Sequence, residues 1–146
     1  MEKGIGALSQ IKEAFACGQQ DVRSYSPLTL AYIGDGVYDL VIRTIVVERG
    51  NRAANLLHRS TVKYVNAKAQ ADMIEALQQF LTPEELAVYK RGRNAKSHTA
   101  AKNATIEDYR KATGMEALIG YLYLSDQFDR VLELIKKGLE EAGFSI

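Results

Sequence analysis

Two acidic residues stand in segments that are otherwise apolar and contain glycine. Asp35 lies within LAYIGDGVY, and Glu116 lies within ATGMEALIGYLY near the other end of the chain. A buried and unpaired carboxylate costs several kcal/mol, so each acid needs a cation, a hydrogen-bond donor or water beside it. If the two helices pack side by side, the two carboxylates meet. Such a pair with room for water suits Mg²⁺, which prefers hard oxygen ligands and keeps several of its waters.

The glycines beside Asp35 need an explanation of their own. Gly34 and Gly36 each cost about 1 kcal/mol in a helix interior relative to alanine. They indicate that something approaches the backbone closely at this point. The alternative is that Asp35 caps a neighbouring helix or pairs with an arginine. A dinucleotide-binding fingerprint is excluded, because the third glycine and the preceding strand are missing.

Composition narrows the class of protein. The chain has 146 residues, 47% of them hydrophobic, which fits one globular domain with a sizeable core. It contains no apolar run of about 18 residues and no signal-peptide pattern, so we expect a cytoplasmic protein without a membrane span. Cys17 is the only cysteine, and His58 and His98 lack ligand spacing, so a zinc site is a poor fit.

Positive charge is concentrated in two segments although the net charge is only +1. Residues 86–106 contain five Lys or Arg and no acid, and residues 43–68 contain six against one glutamate. Segregated positive charge predicts a polyanion ligand, and the scattered tyrosines favour contacts to the backbone of a duplex over stacking on free bases. The alternative is a merely solvated basic loop, since RGRNAKSH is polar and interrupted by glycine. The candidate residues for binding such a polyanion, which the resemblance described below makes RNA, are Lys90, Arg91, Arg93, Asn94, Lys96 and His98, together with Arg59 and Lys63.

The elements that must position these residues are all predicted to be helices. Start signals stand at Ser26-Pro27, at Thr82-Pro83 with a capping box, at Thr105 and at Asp126. The helix from Pro27 to about Glu48 is apolar nearly all round, which predicts a central position.

Apolar spacing predicts three further helices: a short first one (Ile5, Leu8, Ile11, Phe15), a long one spanning 62–80, and a last one starting near Phe128 and ending at Gly143. The prediction is an all-α domain of six or seven helices. Residues 1–23 form an N-terminal extension that is part of the domain or packed on it, and residues 24–146 form the domain proper.

Three segments of the chain resemble the motifs of a known family. LAYIGDGV resembles the signature helix of the ribonuclease III family, EALIG resembles its second acidic motif, and HRSTVKYVNAK resembles its intervening helix. The order and spacing agree over about residues 24–142. RGRNAK, and the lack of room for a double-stranded RNA-binding domain, make the chain more specifically similar to the Mini-III branch.

The resemblance implies a homodimeric, Mg²⁺-dependent endonuclease for double-stranded RNA. Two active sites would lie at the ends of a shared RNA-binding valley, and each would cut one strand to leave 5′-phosphate and 3′-hydroxyl ends. The implied substrate is a stem of the large-subunit (23S) ribosomal RNA precursor. Asp35 and Glu116 would be both the catalytic residues and the metal ligands.

The chain departs from the pattern of ordinary ribonuclease III at two positions. Ala31 and Thr113 stand where that pattern has two further acids, so more of the metal ligands should be water. Asp39, one turn after Asp35, is a candidate for an outer contact or for an ordinary ion pair within the helix. Two alternatives stay open at this stage: a non-catalytic module that binds double-stranded RNA, and a helical dimer with a structural acid pair.

Overall fold

The computed structural model describes residues 6–95 and 105–146, and these residues form helices joined by short loops. The predicted all-α fold is confirmed, with seven α-helices in the described part of the chain. They are α1 (Ala7–Ala14), α2 (Pro27–Arg49), α3 (Ala54–Val65), α4 (Ala67–Leu77), α5 (Pro83–Asn94), α6 (Ile106–Leu124) and α7 (Phe128–Glu141), with 3₁₀ turns at Val22–Ser24 and Gln78–Phe80.

Three of the four predicted start signals are confirmed. The side chains of Ser26, Thr82 and Thr105 each accept a hydrogen bond from a backbone N–H in the first turn of the helix that follows, and Thr82 forms the predicted capping box. The cap predicted at Asp126 is wrong, while the predicted start of the last helix near Phe128 is confirmed. This residue has a positive φ of 61°, and α7 begins one residue later, after Gln127, with no side-chain cap.

The predicted long helix over 62–80 is also wrong, because Asn66 divides it into α3 and α4. Asn66 is extended, with φ −71° and ψ 160°. Its Oδ1 accepts from the N–H of Ala69 at 2.8 Å, while its Nδ2 donates to the carbonyl of Val62 at 2.9 Å. One side chain therefore ends one helix and caps the next, which is a common alternative to continuing a helix through asparagine.

The predicted loop at RGRNAKSH is wrong for its first half. α5 continues through Gly92 and ends at Asn94, so Lys90, Arg91 and Arg93 lie on a helix. Gly92 is not a break; it is buried against α6, as described below. Lys96 and His98 lie outside the described residues.

The central position of α2 is confirmed. It packs on α6 along much of its length and also contacts α3 and α5. Its opposite face is apolar yet exposed: Tyr32, Leu40 and Val47 are 81%, 60% and 53% exposed. At the start of the described chain, α1 has no buried residue, and its apolar side chains Ile11 and Phe15 are also exposed.

Candidate active site

The backbones of α2 and α6 touch where the two acids lie. A Cβ built on Gly34 would lie 1.7 Å from the carbonyl oxygen of Glu116, and one built on Gly120 would lie 2.0 Å from the carbonyl oxygen of Leu30. Only glycine permits so close a crossing at both positions. Because Asp35 follows Gly34 directly, the crossing sets its side chain beside that of Glu116.

The second glycine of the signature has different surroundings. Nothing in the described chain lies within 4 Å of a Cβ built on Gly36. The prediction of a close approach to the backbone therefore holds for Gly34. Gly36 instead lies on the exposed face of α2, between Tyr32 and Leu40.

Glu116 is a partly buried acid whose carboxyl holds its proton more tightly than an ordinary glutamate. Burial raises the pKa of its carboxyl to about 8, and the neighbouring charge of Asp35 adds to the shift. Gln70 opposes it by donating a hydrogen bond from Nε2 to Oε2 of Glu116 at 3.3 Å. Two carboxylates this close repel each other unless a proton or a cation lies between them.

Two neighbours of Glu116 did not emerge from the sequence analysis. Gln70 is 2% exposed, and Tyr38 is fully buried. Burial raises the pKa of the Tyr38 phenol, and the charge of Glu116 adds to the shift, so the two groups are near each other. The phenol donates to the carbonyl of Tyr64 at 2.6 Å. A glutamine on the buried stripe of α4 was the signal available in the sequence.

Ala31 and Thr113 stand at the two positions where ordinary ribonuclease III has further acids, and no carboxylate from elsewhere in the described residues takes their place. Ala31 and Thr113 are buried, and the Thr113 hydroxyl donates to the carbonyl of Tyr109 in its own helix at 2.9 Å. Asp39 pairs with Arg43 at 2.8 Å, as an ordinary ion pair one turn apart. In the residues that the structure describes, no group of three or more His, Cys, Asp or Glu side chains is placed to hold a metal.

A second close contact attaches the basic end of α5 to the same helix. A Cβ built on Gly92 would lie 2.7 Å from Cβ of Ala117 and 2.9 Å from Cα of Gly114. Ala117 is the residue after Glu116, so the last turns of α5 lie against the acidic motif. Arg93 projects from this end and stacks on the ring of Tyr89, 5.6 Å from its centre.

The cations expected to bind RNA are available for a ligand. Lys90, Arg91, Arg59 and Lys63 are exposed, and Arg93 is half-buried. None of the five forms an ion pair with another described residue. Arg59 and Lys63 lie one turn apart on α3, which packs on α2 and α4, so they form a group separate from the end of α5.

Comparison with known proteins assigns the family. The profile described as "Ribonuclease III domain" matches residues 28–127. The "Mini-ribonuclease 3" of Thermoanaerobacter sp. (strain X514) is 49% identical over 144 residues, which cover 97% of this chain and 100% of that protein. The chain belongs to the Mini-ribonuclease 3 family. The protein of that name from Clostridium tetani is 49% identical over 119 residues, covering 81% of this chain and 79% of that protein.

The fold agrees with this assignment. The crystal structure of a protein from Fusobacterium nucleatum superposes with a TM-score of 0.75 at 30% identity, covering 84% of this chain and 98% of that one. The resemblance to the Mini-III branch of ribonuclease III is therefore confirmed, and with it the class of the chain, an endoribonuclease for double-stranded RNA. In the described part of this Mini-ribonuclease 3, no helix is long and apolar enough to cross a membrane.

Proposed function

We propose that this Mini-ribonuclease 3 cleaves double-stranded RNA with Mg²⁺ held by Asp35 and Glu116. The observation that carries the proposal is the contact between Gly34 and the Glu116 backbone, which sets the two carboxylates side by side. Following the family, the substrate is a stem of the 23S ribosomal RNA precursor, and the enzyme acts in the cytoplasm.

The two acids fit Mg²⁺ by their chemistry. When both are ionised they repel each other, which contributes to the raised pKa of Glu116, and a divalent cation would replace the proton and relieve that repulsion. Mg²⁺ is often held by only one or two carboxylates, with waters and substrate phosphates as its other ligands, so Ala31 and Thr113 do not exclude it. When bound, it would orient and acidify a water for in-line attack on the scissile phosphate and offset charge on the phosphoryl oxygens.

The chain's own residues hold the substrate in place. The exposed cations Lys90 and Arg91, with Arg93 and Asn94, would bind backbone phosphates next to the acid pair, because Gly92 fixes the end of α5 against α6. Arg59 and Lys63 on α3 would bind a second stretch of backbone. Lys96 and His98 are assigned to the same surface from the sequence. Binding of this kind recognises the shape of the duplex and depends strongly on salt.

The exposed face of α2 supports the homodimer. Tyr32, Leu40 and Val47 lie on one face of α2 at helical spacing, and all three side chains are more than half exposed. Large apolar side chains grouped on one face mark an interaction surface. A second copy packed through the same face would give a two-fold pair with two acid sites. Sedimentation equilibrium tests this, and the expected mass is twice 16.2 kDa.

The comparisons speak against the alternative of a non-catalytic module that binds double-stranded RNA, because the chain belongs to a family of endoribonucleases. The absence of a third acid does not revive it, since Mg²⁺ is often held by only one or two carboxylates. Such a module would bind a duplex without cutting it, so the experiment below also distinguishes the two.

The deciding experiment uses a long perfect RNA duplex at low salt, with wild type and with Asp35→Asn. We expect wild type to cut in Mg²⁺ and not in EDTA, and Asp35→Asn to bind the duplex without cutting it. The substitution keeps the shape of the side chain, removes its charge and replaces one carboxylate oxygen by an NH₂ group, which cannot bind a metal ion. Tight binding without cutting by wild type, also on a structured ribosomal RNA precursor, would support the binding module instead.

A further inference from the structure

Gln70 is a buried polar residue to which the proposed function assigns no role. It lies in the first turn of α4, and its exposure is 2%. The cap formed by Asn66 fixes where α4 begins, since Oδ1 of Asn66 accepts from Ala69 at 2.8 Å. The cap therefore also fixes the position of Gln70 along the axis of α6.

The amide of Gln70 is oriented by two acceptors. Nε2 donates to the carbonyl of Val65 at 3.0 Å and to Oε2 of Glu116 at 3.3 Å. With an ionised Glu116, the opposite orientation would set the amide oxygen against two other oxygens, neither of which has a hydrogen to donate. The contacts thus connect the last residue of α3, the first turn of α4 and the acid on α6.

The same amide has a feature that a purely structural role does not explain. Its Oε1 is buried and has no partner in the described part of the chain. A buried acceptor without a partner is unfavourable, and an apolar side chain of the same size would avoid it. Two contacts distinguish glutamine from such a side chain, the hydrogen bonds to the Val65 carbonyl and to Glu116, and the second of them reaches the acid pair.

We propose that Gln70 is a positioning residue for the Glu116 carboxylate. By occupying one lone pair of Oε2, it fixes the rotation of the carboxylate and leaves the remaining lone pairs to face the metal. Residues that hydrogen-bond to a metal ligand orient it in this way, and their loss weakens metal binding by about 10–100-fold. The proposal rests on the proposed function, in which Glu116 holds Mg²⁺.

The test replaces Gln70 with methionine, which has nearly the same volume and no amide. We expect the Mg²⁺ concentration for half-maximal cleavage to rise at least about 10-fold, with much of the rate recovered at saturating Mg²⁺. Duplex affinity in EDTA should stay at the wild-type value. A second measurement does not depend on cleavage: the rise in melting temperature that Mg²⁺ causes in the RNA-free protein. The Gln70→Met protein should need a correspondingly higher Mg²⁺ concentration than wild type to reach the same rise.

Gln78→Met is the matched control. Gln78 also donates from Nε2 to a glutamate, the exposed Glu75, at 2.9 Å, but at a half-buried position just after α4. This variant should have the wild-type Mg²⁺ response in both assays.

The outcomes distinguish the role of Gln70 from the proposed function. A Gln70→Met protein that melts lower without Mg²⁺ but has the wild-type Mg²⁺ requirement would assign Gln70 a structural role and overturn the proposal. If the Gln70→Met protein does not fold, the test is repeated with Gln70→Leu. If neither variant folds, Gln70 has a structural role and the proposal is overturned. Asp35→Asn is measured in parallel. A wild-type Mg²⁺ response in that variant would refute the proposed function, and the role of Gln70 with it.

Discussion

Gly34→Ala introduces one methyl group at the point where α2 and α6 touch. The new Cβ would lie 1.7 Å from the carbonyl oxygen of Glu116, whereas ordinary contact begins near 3.4 Å. The helices must therefore separate by roughly 1.7 Å, the difference between these two distances. The neighbour is backbone, so no flexible side chain can move aside to absorb the strain.

Both the stability and the rate should fall. Overpacking costs about 1–3 kcal/mol and occasionally more, against a gain of about 1 kcal/mol from the helix propensity of alanine. For a rigid backbone contact we expect a net loss of about 2 kcal/mol, which lowers the melting temperature by roughly 4–8 °C for a domain near this size. A misplacement of about 1 Å at a catalytic site can cost about 100-fold in rate, so cleavage should fall by at least that factor.

Gly36→Ala is the matched control, in the same helix and two residues away. Nothing in the described chain lies within 4 Å of its new Cβ. We expect up to about 1 kcal/mol more stability and cleavage near the wild-type rate. Thermal melting and single-turnover cleavage of a duplex measure both variants, with size-exclusion chromatography to check their association. If Gly34→Ala cuts and melts like wild type, the backbone contact does not set the geometry of the acids.

Two further predictions concern charge. The pKa of Glu116 is raised to about 8 from 4.5, so the folded protein binds one more proton than the unfolded chain between these values. That stabilisation is complete below pH 4.5 and lost by pH 8; the Mg²⁺-free protein should lose about 2–4 kcal/mol of unfolding free energy between pH 5 and 9. Urea titrations should show a clearly smaller loss for Glu116→Gln, and an equal loss would disprove the shift. Replacing both Arg91 and Arg93 with alanine should weaken duplex binding and reduce the salt slope by about 2. Filter binding at several salt concentrations measures this, with Lys136→Ala on α7 as the control; an unchanged slope would remove the end of α5 from the RNA-binding surface.

The sequence predicts those features of the fold that depend on local chemistry. Ser26-Pro27, Thr82-Pro83 and Thr105 mark helix starts because their side chains satisfy N–H groups in the turn that follows. The apolar segments around Asp35 and Glu116 predict that both acids are buried, because acids are costly in apolar surroundings. This is right for Glu116, which is half-buried, and wrong for Asp35, which is exposed on α2. These features need no knowledge of which helix packs on which.

The errors concern features that depend on a partner helix. Gly92 is a breaker by propensity, at a cost of about 1 kcal/mol, yet its close packing on Gly114 and Ala117 places it inside α5. Asn66 has a polar side chain typical of an exposed helix position, but it bonds to both α3 and α4. Gln70 was missed because its partner, Glu116, is distant in the sequence.

The glycine contacts have a consequence for how this protein tolerates change. The spacing of Asp35 and Glu116 is set by main chain against main chain, at Gly34 and Gly120, and not by the rotamers of core side chains. Conservative exchanges among the buried aliphatic residues, such as Leu118 or Ile42, can alter stability while leaving that spacing in place. The geometry of the acid pair is thereby uncoupled from the composition of the core, so an engineer can repack the interior for heat resistance without redesigning the pair.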